Sequence, residues 1–270
     1  MSTAPFGRRE LTVTAIEQLG AYRVLRVADP DGSEPQAGQF AMLSTVERWG
    51  GGDDQRPFLA RAFSIARHDD GESHFLLEDV GPGTKRLCEL RPGERIWALG
   101  PLGQGFTSPQ EGRRAILVGG GVGIAPLAIL QDTLAGSVTA LLGFRDREHA
   151  QGARLLDAAR VATDDGSTGH HGFVTDLLAA DLARDPEATV YACGPPAMLE
   201  GVRAMCAEHE VPSQLALEAG MACGFGACFG CVVPTRGGGY LRVCVDGPVV
   251  DGAALDRVEE PAHAPIAGRA

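Results

Sequence analysis

Cys223, Cys228, Cys231 and Cys244 follow the spacing C-x4-C-x2-C-x12-C, with Gly224, Gly226 and Gly230 among them. Four thiolates that must converge on one small inorganic centre restrict the chain path more than any hydrophobic pattern does. The spacing is that of a plant-type two-iron, two-sulfur [2Fe-2S] site. The glycines let backbone pass close to such a centre without a Cβ in the way and suit amides turned toward sulfur. A structural zinc site also takes four thiolates, but it usually pairs two C-x2-C knuckles, and only Cys228 and Cys231 form one. A disulfide framework is a second alternative, yet seven cysteines in 270 residues lack the dense, even pattern of a small secreted scaffold. The spacing therefore points to electron transfer, with these four cysteines as metal ligands.

A chain of 270 residues that is 44% hydrophobic can fill two domains and a small appendage. A formal net charge of −11 with no Lys/Arg cluster argues against a grip on nucleic acid. The first ten residues carry Arg8 and Arg9 but no apolar run behind them, unlike a secretory signal. The longest apolar stretch, 115–130, is interrupted by four glycines and Pro126, which suits a strand, turn and helix better than a membrane span. The expectation is a cytoplasmic protein with reduced thiols and neither membrane nor nucleic acid as partner.

Residues 11–102 show short strands at turn-rich intervals, punctuated by Asp31-Gly32, Pro82-Gly83 and Pro92-Gly93, which predicts a small β-barrel. From Arg113 onward, buried-strand runs such as Ala115-Ile-Leu-Val118 and Val138 to Phe144 alternate with helical stretches, the pattern of a parallel α/β sheet. The predicted divisions are a barrel domain over 1–110, an α/β domain over 111–211, a cluster module over 212–258 and a flexible tail over 259–270.

Val118-Gly-Gly-Gly-Val-Gly-Ile-Ala-Pro126 follows a buried strand and opens a helix. There Gly119, Gly120, Gly121 and Gly123 can bring amides and a helix start against a diphosphate. Without a strict G-x-G-x-x-G the turn is a modest signal, because close helix-on-sheet packing also needs glycine. A second strand–turn–helix, with Cys193, Gly194 and Pro195 at its turn, would add another mouth at the same sheet edge, and two such mouths enclose a dinucleotide. In the barrel, Arg61 and Ser64 lie three apart along a strand, and Gly83-Thr84 opens a helical stretch. An arginine beside a glycine-threonine helix start suits a flavin diphosphate. A surface ion pair for Arg61 and an ordinary helix cap for Gly83-Thr84 are equally compatible with these residues alone.

Together these motifs resemble the ferredoxin-reductase-like flavoproteins, and within them the iron–sulfur electron-transfer subunits of NAD-linked, two-subunit dihydroorotate dehydrogenases, over about Leu11 to Leu255 in matching order. Arg61-Ala-Phe-Ser64 is similar to that family's Arg-x-x-Ser flavin motif, which implies Arg61 at the FAD diphosphate and Ser64 beside the isoalloxazine. Gly83-Thr84 resembles its second FAD phosphate contact, Gly100 to Phe106 the link closing the flavin domain, and Gly119 to Pro126 with Cys193-Gly-Pro195 its NAD motifs. Thr163 to Asp176 resembles a segment near the nucleotide. The resemblance implies Cys193 beside the nicotinamide–flavin contact, helping geometry rather than attacking. It further implies a catalytic FMN-containing dihydroorotate dehydrogenase subunit as partner, in a heterotetramer of two of each chain, with electrons passing from dihydroorotate through the cluster and FAD to NAD in pyrimidine biosynthesis. Nicotinamide moves two electrons as hydride and an iron–sulfur cluster one, so FAD stands between them as converter.

Two other readings stay open at this level: the same machinery serving a hydrogenase, sulfur reductase or oxygenase, and a cofactor-free zinc-knuckle interaction module. Arg145 and Arg147 after the second α/β strand leave NADP in play. Cys88 and Cys206 read as core residues, and His170 and His171 as loop residues without cysteine neighbours. No residue pattern marks a site for an organic substrate, which places that site on another chain.

Overall fold

The computed structural model describes residues 7–50 and 57–258. The predicted tail over 259–270 and the first six residues lie outside them. Six antiparallel strands, β1 (Arg8–Leu19), β2 (Tyr22–Ala28), β3 (Phe40–Thr45), β4 (Arg61–Asp69), β5 (Glu72–Glu78) and β6 (Arg95–Leu102), close a barrel in the order β1-β2-β5-β4-β3-β6. Its interior is a layer of alternating side chains including Leu25, Leu43, Phe75, Leu77 and Ile96. A short helix α1 (Pro82–Cys88) follows β5.

The rest of the secondary structure is α2 (Ala125–Thr133), α3 (Arg147–Ala150), α4 (Val174–Arg184) and α5 (Pro196–Glu208), alternating with β7 (Arg114–Gly120), β8 (Val138–Phe144), β9 (Arg160–Thr163), β10 (His170–His171), β11 (Ala188–Cys193) and β12 (Ser213–Ala216). After β12 come β13 (Val232–Pro234), β14 (Tyr240–Arg242) and β15 (Val249–Asp251). The sheet runs β10-β9-β8-β7-β11-β12-β15, parallel except where β15 joins β12. Strands β7 and β11 are buried along nearly their whole length, as expected of strands covered on both faces. From β7 the chain first builds outward through β8 and β9, then returns to the other side of β7 as β11. The topological switch point, where α/β sheets bind ligands beyond their carboxyl edges, thus lies between β7 and β11.

The cysteine-bearing segment is an insertion between two strands of this sheet. Strand β12 leads into it and β15 leads back, while β13 and β14 form its own small hairpin. The boundary expected at residue 212 therefore falls within the sheet. Gln104 N–H donates to the Gly247 carbonyl (2.5 Å) and Leu217 N–H to the Pro248 carbonyl (2.9 Å), stitching the returning segment to barrel and sheet. Among the described residues no helix is long and apolar enough to cross a membrane.

Candidate functional site

The cysteine loop needs backbone that most residues avoid. Gly224 (φ 81°), Gly226 (φ 86°) and Phe229 (φ 57°) are left-handed, a conformation strained for a residue with a Cβ. Gly224 and Gly226 also lack room for a side chain: a Cβ would lie 2.5 Å from Met42 Cγ and 2.7 Å from Val245 Cγ2. Tight turns and contact with the barrel together set the loop's shape.

The loop assembles the four thiols as two pairs. Cys231 and Cys244 are buried with their sulfurs 3.2 Å apart, while Cys223 is half-buried and Cys228 exposed. Gly230 N–H points at Cys228 Sγ (3.4 Å) and Cys244 N–H at Cys231 Sγ (3.5 Å). Burial raises the Cys223 thiol, but the amides of Phe225 and Cys228, the Cys228 side chain and the Ala227 amide outweigh it and bring it down to about 6. Burial and the adjoining Cys231 push Cys244 up to about 12. Two sulfurs so close become thiolates together only with a cation between them. Among the described residues no three Cys, His, Asp or Glu side chains converge on a single ion position. Thiols gathered as two such pairs fit the [2Fe-2S] site that the cysteine spacing predicts, each pair holding one iron.

At the switch point the two glycine turns meet. A Cβ on Gly123 would stand 2.5 Å from the Cys193 carbonyl oxygen, and one on Gly194 would stand 2.9 Å from Gly120 N. Gly119 faces inward instead, where a Cβ would press on Ile124, Leu127 and Leu142. Gly120, Gly121 and Pro195 line a cleft of about 690 Å³, completed by Phe144, Phe173 and Met198 and by Tyr22 and Glu78 from the barrel. Tyr22 is fully buried, and its hydroxyl has no hydrogen-bond partner among the described residues. A buried orphan hydroxyl on the wall of an open cleft fits a polar ligand there.

A second cavity, about 260 Å³, lies between barrel and sheet and shares Glu78 and Val80 with the cleft. Ser64 and Thr84 reach it from the barrel, and Gly123, Cys193, Glu218 and Met221 from the other side. Cys193 is buried, and desolvation, with Glu218 adding to it, pushes its thiol well above the ordinary value. It is a neutral thiol, unsuited to nucleophilic attack. Desolvation beside the cavity raises the Glu218 carboxyl, although the residue as a whole is exposed.

Arg61 and the Gly83-Thr84 turn do come together. Arg61 lies across Gly83 so closely that a Cβ there would stand 2.8 Å from its Nε, and Arg61 Nη1 donates to the Leu59 carbonyl at 2.5 Å. A guanidinium over a bare turn is a cradle suited to a diphosphate. The Thr84 hydroxyl, however, accepts from Val80 N–H (2.9 Å) and Gly81 N–H (3.0 Å) and donates to the Gly81 carbonyl (3.0 Å). It closes the start of α1, so any phosphate donor in this turn is backbone.

Sequence reasoning did not find Tyr22, Glu78 or Glu218. Each is an ordinary strand or loop residue by local pattern and gains its place only when barrel and sheet meet.

Residues 218–256 match the iron–sulfur cluster binding domain of dihydroorotate dehydrogenase B, and residues 117–204 match the oxidoreductase NAD-binding domain. A dihydroorotate dehydrogenase B (NAD(+)) electron transfer subunit homolog from Aquifex aeolicus is 38% identical, covering 85% of this chain and 90% of its own. The electron transfer subunit from Geobacillus thermodenitrificans is 34% identical over 90% of this chain and 96% of its own. Among solved structures, an NADH-dependent reduced ferredoxin-NADP oxidoreductase studied for flavin-based electron bifurcation superposes with a TM-score of 0.79 at 27% identity, covering 93% of this chain and 91% of that one. The ferredoxin reductase of carbazole 1,9a-dioxygenase, at a TM-score of 0.65 and 24% identity over 77% of this chain, shares the fold. The chain belongs to the family of dihydroorotate dehydrogenase B (NAD(+)) electron transfer subunits.

Proposed function

We propose that this oxidoreductase chain relays electrons between a catalytic dihydroorotate dehydrogenase subunit carrying FMN and NAD, in a cytoplasmic heterotetramer of two of each chain serving pyrimidine biosynthesis. The observation that carries the reading is the adjacency of three places: the nucleotide cleft shares Glu78 and Val80 with the Ser64–Cys193 cavity, and Met221 on that cavity's wall stands two residues from Cys223. FAD, when bound, supplies the exchange between hydride and single electrons.

The chain's own residues bind and orient. Arg61 and the backbone of Gly83-Thr84 hold the flavin diphosphate, and Ser64 lies at the flavin ring. Gly120, Gly121, Gly123, Gly194 and Pro195 give the nucleotide its close backbone approach, while Gly119 secures the turn from beneath. Cys193 is the small neutral wall against which nicotinamide and flavin face each other. Cys223, Cys228, Cys231 and Cys244 ligate the [2Fe-2S] cluster, with the exposed Cys228 side turned outward. Phe225 and Phe229, 56% and 61% exposed, flank that side and form the partner-facing surface. The functional units are the barrel over 1–110, the nucleotide sheet over 111–211 with β12 and β15, and the cluster loop between those two strands.

Anaerobic NADH should bleach the flavin of the isolated chain and then the cluster, and dihydroorotate should do neither. Addition of the FMN subunit should create dihydroorotate-dependent NAD reduction. Dihydroorotate oxidation by this chain alone would refute the reading. The similarity to the ferredoxin-NADP oxidoreductase favours a second reading, the same relay serving another one-electron partner. Identification of the protein that co-purifies with this chain separates the two.

A further inference from the structure

The segment Thr163-Asp-Asp-Gly-Ser-Thr168 uses its two adjacent aspartates differently. Asp165 is structural: its Oδ1 accepts from Ser167 N–H at 2.9 Å. Thr163 closes the same turn, donating from Oγ1 to the Thr168 carbonyl (2.9 Å) and accepting from Thr168 N–H (3.0 Å). The turn hangs on the end of β8, with Asp164 N–H donating to the Phe144 carbonyl (3.0 Å) and Asp165 N–H to the Arg145 carbonyl (3.3 Å). Asp164 is exposed and lines the nucleotide cleft, and no described residue hydrogen-bonds or ion-pairs with its carboxylate. A rigid turn thus delivers one uncommitted negative charge to the end of the second strand, where the adenosine ribose of a dinucleotide lands in doubly wound sheets.

The nearby cations are already engaged. Arg145 pairs with Glu78 and donates from Nε to His149 Nε2 (2.8 Å). His149 Nδ1 faces Asp146 Oδ1 (2.7 Å), and Arg147 Nη2 donates to the Ser167 carbonyl (2.9 Å). A 2′-phosphate would meet the Asp164 carboxylate with Arg145 already paired to Glu78 and only Arg147, tied to the Ser167 carbonyl, left to offset it, whereas a 2′-hydroxyl can donate to that carboxylate.

We infer that Asp164 is the residue that selects an unphosphorylated adenosine ribose, so that the cleft takes NADH and rejects NADPH. This rests on the nucleotide-relay reading above and deepens it by naming the discriminating group. The test is steady-state reduction of ferricyanide by the FAD- and cluster-loaded chain, with NADH and NADPH compared for wild type, Asp164→Asn and Asp164→Ser. The kcat/KM ratio of NADH to NADPH should fall about tenfold or more in both variants, with most of the change in KM, because a like-charge clash is removed while an acceptor remains. Inhibition by 2′,5′-ADP relative to 5′-AMP should strengthen in parallel. Asp165→Asn, which loosens the turn without touching the free charge, should lower the melting temperature and leave the ratio within about twofold. A ratio unchanged in both Asp164 variants while wild type prefers NADH overturns the inference alone. A wild type that neither nucleotide reduces overturns the relay reading instead. If both Asp164 variants lose flavin or fold, the turn needs that carboxylate for stability and the selective role is wrong.

Discussion

The sheet and the cysteine loop are held together by opposite means. The sheet buries Ile116, Val118, Leu141, Val190 and Leu215 in one apolar layer and Leu117, Ile124, Leu127, Leu142 and Tyr191 in another, an extensive core of its own. The loop between β12 and β15 has two three-residue strands, six positions with positive φ (five of them glycine) and sulfurs crowded in pairs. On the proposed ligation, its order is coupled to the metal. Damage to the loop should therefore stay local, whereas damage to the sheet should spread to nucleotide and flavin alike.

The largest test of that contrast is removal of a proposed cluster ligand. Cys228→Ser should lose the cluster and abolish transfer to one-electron acceptors that draw on it, while FAD content and flavin reduction by NADH stay near wild type. Iron analysis, visible spectra and stopped-flow traces report all three. Parallel loss of cluster and flavin would show that the loop supports the barrel, contrary to the comparison.

Arg61→Ala probes the barrel cradle without touching either side of the contrast. Loss of a charge-assisted contact costs ~1.5–3 kcal/mol, so the flavin dissociation constant should rise by about ten- to a hundredfold while the cluster spectrum is retained. An unchanged flavin affinity would reduce Arg61 to a surface residue bonded to Leu59.

Gly123→Ala strikes the sheet at its switch point. With the Cys193 carbonyl oxygen 2.5 Å from the added methyl, the β7 and β11 turns must part, at a cost of about 1–3 kcal/mol. The melting temperature should fall and the KM for NADH rise together, the spreading effect that the cysteine variant lacks. A lower melting temperature with an unaltered KM would separate the turn's packing from its nucleotide role.

Legibility in the sequence follows the same division. The cysteine spacing and the glycine turns are local patterns dictated by chemistry or by backbone conformation, and both are visible without a fold. Strands such as β1, β2 and β5 show as half-buried runs, with ends displaced by a few residues. Strand β3 is buried on both faces and has no alternation to read, and β6 runs through Gly100-Pro-Leu102, where the family resemblance implies a link. The insertion of the loop between β12 and β15 was not legible, because a strand of three or four residues has no period. Nor were Tyr22, Glu78, Asp164 and Glu218 legible as one constellation, since each faces a cavity that exists only between elements distant in sequence. Thr84 teaches the converse: its motif was visible, and the fold uses its hydroxyl to cap α1.

The smallest effect belongs to Glu218, which lines the Ser64–Cys193 cavity between sheet and cysteine loop. Desolvation beside the cavity raises its carboxyl above the ordinary glutamate value, so the folded chain binds this proton more tightly than the unfolded chain does. The resulting stabilisation is complete below the ordinary carboxylate range and is lost as pH climbs through the raised value, leaving the ionised residue a burden at neutral pH. Glu218→Gln keeps the shape and removes the charge. Its melting temperature should exceed that of wild type by no more than about 2–4 °C near pH 7, because solvent at the cavity mouth screens the charge, and the difference should vanish near pH 4. Thermal scans of the two proteins at both pH values decide it. A Gln variant less stable than wild type at neutral pH would mean that the carboxylate is held by a favourable partner, and that this corner belongs with the self-sufficient sheet rather than with the metal-dependent loop.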